Sequence, residues 1–127
     1  MQHQPAWTHG LSQPTLLPAG EDWDAVRVPA DVGLRAVRDL EARGVPVGPV
    51  LHDQSSHRTY FLTPPGTAHE WAQEGTRALG IGTWVVLAPP DWDGLLQWIT
   101  DPSSGPVHTA ADDLAAALAT ASEEAEH

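Results

Sequence analysis

The clearest pattern in the chain lies between Asp31 and Arg43. Val32, Ala36, Val37 and Leu40 recur at helical spacing, and Arg35, Arg38, Asp39 and Glu41 fall on the opposite side. Asp31 is placed to cap this helix and Gly44 to stop it. A second helical stripe, Leu114, Ala117, Leu118 and Ala121, follows Thr109. Thr109 is the expected cap, and Asp112 and Asp113 stand in the first turn, where the helix dipole favours acids. A short helix is expected from Thr67 to Glu74.

Strand-like segments lie between these helices. Ala25 to Val28 alternate and end at Pro29. Val47–His52 and Arg58–Thr63 flank the polar stretch Asp53 to Ser56 and read as a hairpin. Thr83–Ala88 contains Trp84-Val85-Val86-Leu87, a continuous apolar run of strand length, and predicts a central strand buried on both faces. Leu95–Thr100 predicts the last strand. The resulting order, β-α-β-β-(α)-β-β-α, predicts an α+β fold: a mostly antiparallel mixed sheet of about five strands backed by two or three helices. Residues 1–18, rich in Gln, His, Pro and Thr, read as a flexible lead-in that Trp7 and the Leu16–Leu17 pair pin to the body. One domain is expected over 19–121, and residues 122–127 form an acidic tail.

Composition narrows the function classes. The chain has 127 residues and a net charge of −11, with six arginines, no lysine and no cysteine. Disulfides and thiolate metal sites are excluded. Residues 101–127 hold six of the seventeen acids and no arginine, and the preceding hundred residues are net acidic as well. Such a surface repels phosphate backbones and offers no counterion-release driving force, so autonomous nucleic-acid binding is not expected. No run approaches the length of a membrane span. The first ten residues show no basic cluster followed by an apolar stretch, so a cytoplasmic location is expected. Most of the six tryptophans are expected in the core.

Several groups invite chemistry. His52, Asp53 and His57 flank the hairpin tip and are sound ligand types for a divalent ion, although their spacing matches no recognised zinc pattern. Asp91 and Asp93 are a second close acidic pair, in a Pro-Pro-Asp-Trp-Asp-Gly turn. Gly75, Gly80 and Gly82 precede a strand, whereas a phosphate-cradling loop precedes a helix. His3, His9, His69, His108 and His127 are scattered through loops and termini and read as surface residues.

One stretch carries more than composition. Asp53-Gln54-Ser55-Ser56-His57-Arg58-Thr59-Tyr60-Phe61-Leu62 is followed by Pro64-Pro65-Gly66. Then come Arg77, Gly80, Gly82, Trp84-Val85-Val86, Pro89-Pro90 and Gln97-Trp98-Ile99. In order and spacing, Gly48 to Thr100 resembles the later part of the bifunctional primase–polymerase N-terminal domain, of the archaeo-eukaryotic primase superfamily. The resemblance implies a nucleotide site at Ser55, His57, Arg58 and Arg77. It also implies a carboxylate set holding two divalent metals, Mg²⁺ or Mn²⁺. For that set the chain offers only Asp22 and Asp24, at the i, i+2 spacing that shares one strand face. Gly75 stands where a third acid is expected. Catalysis would rest on Asp22, Asp24 and His57.

Three functions are compatible with this reading. The first is a catalytically degenerate primase–polymerase-like domain serving as a binding or regulatory module, for a nucleotide or for a basic protein attracted by the acidic charge. The second is a residual metal-dependent nucleotidyltransferase. The third is an unrelated small α+β protein-interaction domain.

Overall fold

The computed structural model of the protein describes residues 5–125. His3, His127 and the acidic end at Glu126 lie outside the described residues. The fold is α+β, as the pattern predicts, with seven strands and three α-helices among the described residues. The strands are β1 (Thr15–Pro18), β2 (Asp24–Pro29), β3 (Val50–Asp53), β4 (Arg58–Thr63), β5 (Arg77–Leu79), β6 (Trp84–Leu87) and β7 (Leu96–Thr100). The helices are α1 (Ala30–Ala42), α2 (Thr67–Glu70) and α3 (Ala111–Ala125). Five strands form one antiparallel sheet in the order β5-β2-β4-β3-β7, and β1 and β6 pair as a separate two-stranded ribbon.

The alternation of side chains along each strand divides the core in two. Val26, Val28, Val50 and Phe61 point to one face, where α1 brings Ala36, Val37 and Leu40 and α3 brings Leu114, Ala117, Leu118 and Ala121. Ala25, Leu51, Leu62 and Leu79 point to the other, where Val85 and Leu87 of the ribbon, together with Trp23, close over them. The layers therefore run helices, sheet, ribbon. A fully buried leucine or phenylalanine contributes roughly 1.5–3 kcal/mol, and both predicted helical stripes supply such residues.

Close approach of α1 to the sheet depends on Gly33. A Cβ there would sit 1.9 Å from the Thr59 hydroxyl on β4, so no side chain fits unless the helix or Thr59 shifts.

Local details correct several expectations. Asp31 does not cap α1: the helix starts at Ala30 with Pro29 in the cap position, and Asp31 stands in the first turn. Ala30 N–H instead donates to the His57 carbonyl across the sheet, 2.9 Å away. The Thr109 hydroxyl is used elsewhere too. It accepts the Gly48 N–H at 2.8 Å, while Thr109 N–H donates to the Leu62 carbonyl at 2.8 Å. Thr109 thus ties the approach to α3 onto the sheet.

The apolar run at Trp84 is not a central strand. It lies in the ribbon, where Val85 and Leu87 are buried but Trp84 is 57% and Val86 41% exposed. Its partner is the lead-in itself, since Thr15–Pro18 forms β1. Trp7 packs on Trp98 with ring centroids 6.1 Å apart. No helix among the described residues is long and apolar enough to cross a membrane.

Candidate functional site

Beyond the ribbon, the same face of the sheet is open and changes character. Arg27 on β2 stands directly opposite Arg77 on β5 on one side and Tyr60 on β4 on the other. All three share the face of Ala25 and Leu62 by alternation. They floor a cleft of about 580 Å³ between sheet and ribbon. Leu16, Trp84 and Val86 of the ribbon form its apolar wall, and Asp53, Ser55, Leu95 and Leu96 border it where the hairpin and β7 approach. Leu16 and Leu95 are 55% and 65% exposed, so the wall is open to a ligand.

The electrostatics of the floor are unusual. Like charges directly opposite each other on adjacent strands are destabilising. Yet no carboxylate among the described residues forms an ion pair with either arginine. Among the described residues the ion pair formed is between Arg43 Nε and Asp39 Oδ2, 3.1 Å apart on α1. Arg27 Nε is buried with no hydrogen-bond partner among the described residues, and an unmet buried donor is costly. Two arginines paired across the ladder and lining one cleft, one with an unsatisfied donor, suit an anion that accepts from both. Arginine forks match phosphate oxygens in this way. An aromatic wall beside them offers a surface for a planar ring.

At the hairpin, Asp53 Oδ1 accepts from both the Ser55 N–H (3.1 Å) and the Ser55 hydroxyl (2.7 Å). Burial pushes the Asp53 carboxyl up, but the hydroxyls and backbone N–H groups of Ser55 and Ser56 outweigh it and hold the group below its usual value. Asp53 is therefore an ionised, locally satisfied carboxylate that shapes the turn.

The structure brings together some of the predicted site residues. Ser55 and Arg77 line the cleft. His57 and Arg58 are not among its lining residues. His57 is exposed in the β3–β4 turn with a left-handed backbone, φ 57°. Arg58 shares the face of Tyr60 but stands at the far end of β4, between Pro29 and Asp53.

The acidic pair is not assembled with His57. Asp24 opens β2 opposite Thr63, whereas His57 lies just past the other end of the β2–β4 ladder, where Pro29 meets Arg58. Five residue steps separate those ends, about 17 Å at strand rise. Asp22 is exposed in the preceding turn, and its carbonyl is 2.8 Å from His108 Nε2. Asp24 is 1% exposed, and its Oδ2 accepts the N–H groups of Gly66 (3.1 Å) and Ala68 (2.8 Å). Its carboxylate thus holds the turn into α2. Asp22, Asp24 and His57 do not form a set that fits two divalent ions.

The hairpin-tip triad fares no better. Strand alternation sends His52 to the helix side and Asp53 to the ribbon side. No group of three or more histidine or acidic side chains able to hold a metal occurs among the described residues. At the acidic turn, Asp91 N–H donates to Asp101 Oδ2 at 2.7 Å. For Asp101, burial raises the carboxyl's pKa, but the Ser103 hydroxyl and N–H and the Asp91 contacts outweigh it and lower the value.

Arg27 and the ribbon wall were not singled out from the sequence. A signal for Arg27 was present: a lone charge inside the apolar run Ala25-Val26-Arg27-Val28, whose other three residues are buried. Its pairing with Arg77 appears only with the strand register. No family model matches the chain, and no curated protein or solved structure matches it significantly.

Proposed function

We propose that the chain is a catalytically degenerate primase–polymerase-like domain acting as a binding module, and that it takes a single nucleotide in the cleft between ribbon and sheet. The observation that carries this reading is the Arg27–Arg77 pair, unneutralised and partly desolvated on the cleft floor. The phosphate would lie across the two guanidinium groups and the base against Trp84. A cleft of about 580 Å³ suits one small ligand. The net charge of −11 disfavours a longer polyanion. Binding needs no divalent ion, because the arginines supply the positive charge.

Calorimetric titration of nucleoside triphosphates, in EDTA and then in Mg²⁺ or Mn²⁺, tests this. Micromolar binding that persists in EDTA is expected. Arg77→Ala removes a charged hydrogen-bonding partner worth about 1.5–3 kcal/mol, which is roughly 10- to 150-fold in affinity. His57→Ala leaves affinity unchanged. Absence of heat with every nucleotide, or indifference to Arg77→Ala, refutes the reading.

A further inference from the structure

β7 ends the central sheet. It pairs with β3 along one side, and no described strand pairs with the other. An unpaired edge offers its N–H and C=O groups to any extended chain, so exposed edges are commonly blunted by charge or proline. Leu96-Gln97-Trp98-Ile99-Thr100 contains neither. One bulge interrupts it: Val50 stands opposite Thr100 and Leu51 opposite Trp98, which leaves Ile99 as the extra residue.

A recess of about 590 Å³ follows this edge and meets Gln97, Trp98, Ile99 and Thr100 in succession. Alternate strand residues point to opposite faces, so a recess that touches consecutive ones runs along the edge rather than over one face. Acids line both of its sides. Glu41 comes from α1, on the helix side, and Asp91 and Asp93 come from the turn after Pro89. Trp98 Nε1 donates to the Ala88 and Pro89 carbonyls, 3.2 and 3.0 Å away, and holds that turn toward the ribbon side. Asp101 completes the acidic border. No arginine or histidine is among the lining residues, and none of them also lines the cleft.

We propose that the β7 edge docks an extended, lysine- and arginine-rich segment of another protein, which adds to the sheet as a further strand. Main-chain hydrogen bonds along the edge hold any extended chain in this mode, and charge selects the occupant. Side chains of an added strand leave alternately toward the two faces. An acid stands on each face, so adjacent basic residues are both met. The same carboxylates oppose edge-to-edge pairing of two copies, because each copy would set its acids against those of the other. The net charge of −11 acts in the same sense at longer range. The site is independent of the nucleotide reading, because it uses none of the cleft's residues.

Backbone amide NMR of the whole chain, titrated at moderate salt with an acetylated, amidated Lys-Arg-Val-Arg-Lys peptide, provides the test. Saturable shifts centred on the Gln97 to Thr100 amides are expected, with slower hydrogen exchange in β7. The same peptide N-methylated at its central residues keeps every charge but cannot donate along the edge, and should bind at least about tenfold more weakly. Glu41→Gln combined with Asp93→Asn removes one charge from each side of the recess and should weaken the unmodified peptide by roughly tenfold. Both side chains are exposed, so the fold does not rest on them. Equal affinity of the N-methylated peptide would reduce the effect to charge alone and overturn the proposal. Shifts that do not saturate, or that spread over the acidic surface without centring on β7, do the same. Shifts at these amides that grow with protein concentration and need no peptide would assign the edge to a second copy of the chain, and also overturn it.

Discussion

Replacing Arg27 by methionine should make the free protein more stable and blunt the stabilisation that nucleotide gives. In the wild type two costs fall on Arg27. Its buried Nε lacks an acceptor, a deficit of about 1–3 kcal/mol. Its charge faces Arg77 directly across the sheet, which costs about 0.2–1 kcal/mol. Arg27 is only half buried, so residual hydration lowers the sum, and a gain of about 1–2 kcal/mol is expected. Methionine keeps most of the apolar stem. For a domain of this size that gain raises Tm by about 3–8 °C. A nucleotide at a hundred times its Kd stabilises the wild type by about 2.7 kcal/mol, whereas a variant weakened by roughly 10- to 150-fold gains only about 0.3–1.4 kcal/mol. The variant's lead therefore shrinks or reverses on adding ligand. Urea unfolding in phosphate-free buffer, repeated with saturating nucleotide, reads both halves. A variant less stable than wild type without ligand, or stabilised equally by ligand, refutes the argument from the unpaired guanidinium.

Other substitutions test the fold that holds the site. Gly33→Ala drives a methyl into Thr59. It should cost about 1–3 kcal/mol, as overpacking typically does, measured by the urea midpoint, and Thr59→Ala in the same chain should restore part of the loss. Thr109→Val leaves the buried Gly48 N–H without its acceptor and should cost about 1–3 kcal/mol, with faster amide exchange at Gly48. The Asp53 carboxyl is held below its usual value by Ser55 and Ser56. Its contribution is therefore present above the unfolded carboxylate range and is lost as pH falls through the lowered folded value. Asp53→Asn should flatten that part of the acid limb, read as urea midpoints between about pH 5 and pH 2; an unchanged limb would show that other carboxylates carry it.

The two long helices were legible because a 3.6-residue stripe survives any tertiary arrangement. Ala36, Val37 and Leu40, and Leu114, Ala117, Leu118 and Ala121, are buried as expected. The β3–β4 hairpin was legible for a similar local reason, a polar turn between two apolar segments. The ribbon was not. Trp84-Val85-Val86-Leu87 is equally apolar on both faces, and a run of that kind does not reveal that only one face is covered. Thr15–Pro18 lies between prolines and becomes a strand by pairing with a segment distant in sequence. β5 is three residues long, too short to show a period. The site inherits these limits. Ser55 and Arg77 belong to a stretch whose order and spacing can be read locally, and both line the cleft, whereas Arg27 acquires its meaning from the residue across the ladder. Asp22 and Asp24 had suitable spacing, but the turn into α2 claims the Asp24 carboxylate.

The ribbon also determines which part of the molecule opens first. Its strands are roughly seventy residues apart in sequence, so their pairing follows closure of a long loop. Only four residue pairs join them, and one side of the ribbon faces solvent. Features of this kind mark a low-stability unit that unfolds ahead of the central sheet. Amides of β1 and β6 should exchange with solvent well before those of β2 and β4. The cleft wall is thus a detachable flap beside a permanent arginine floor. Ligand held between the two would register as slower hydrogen exchange in the flap.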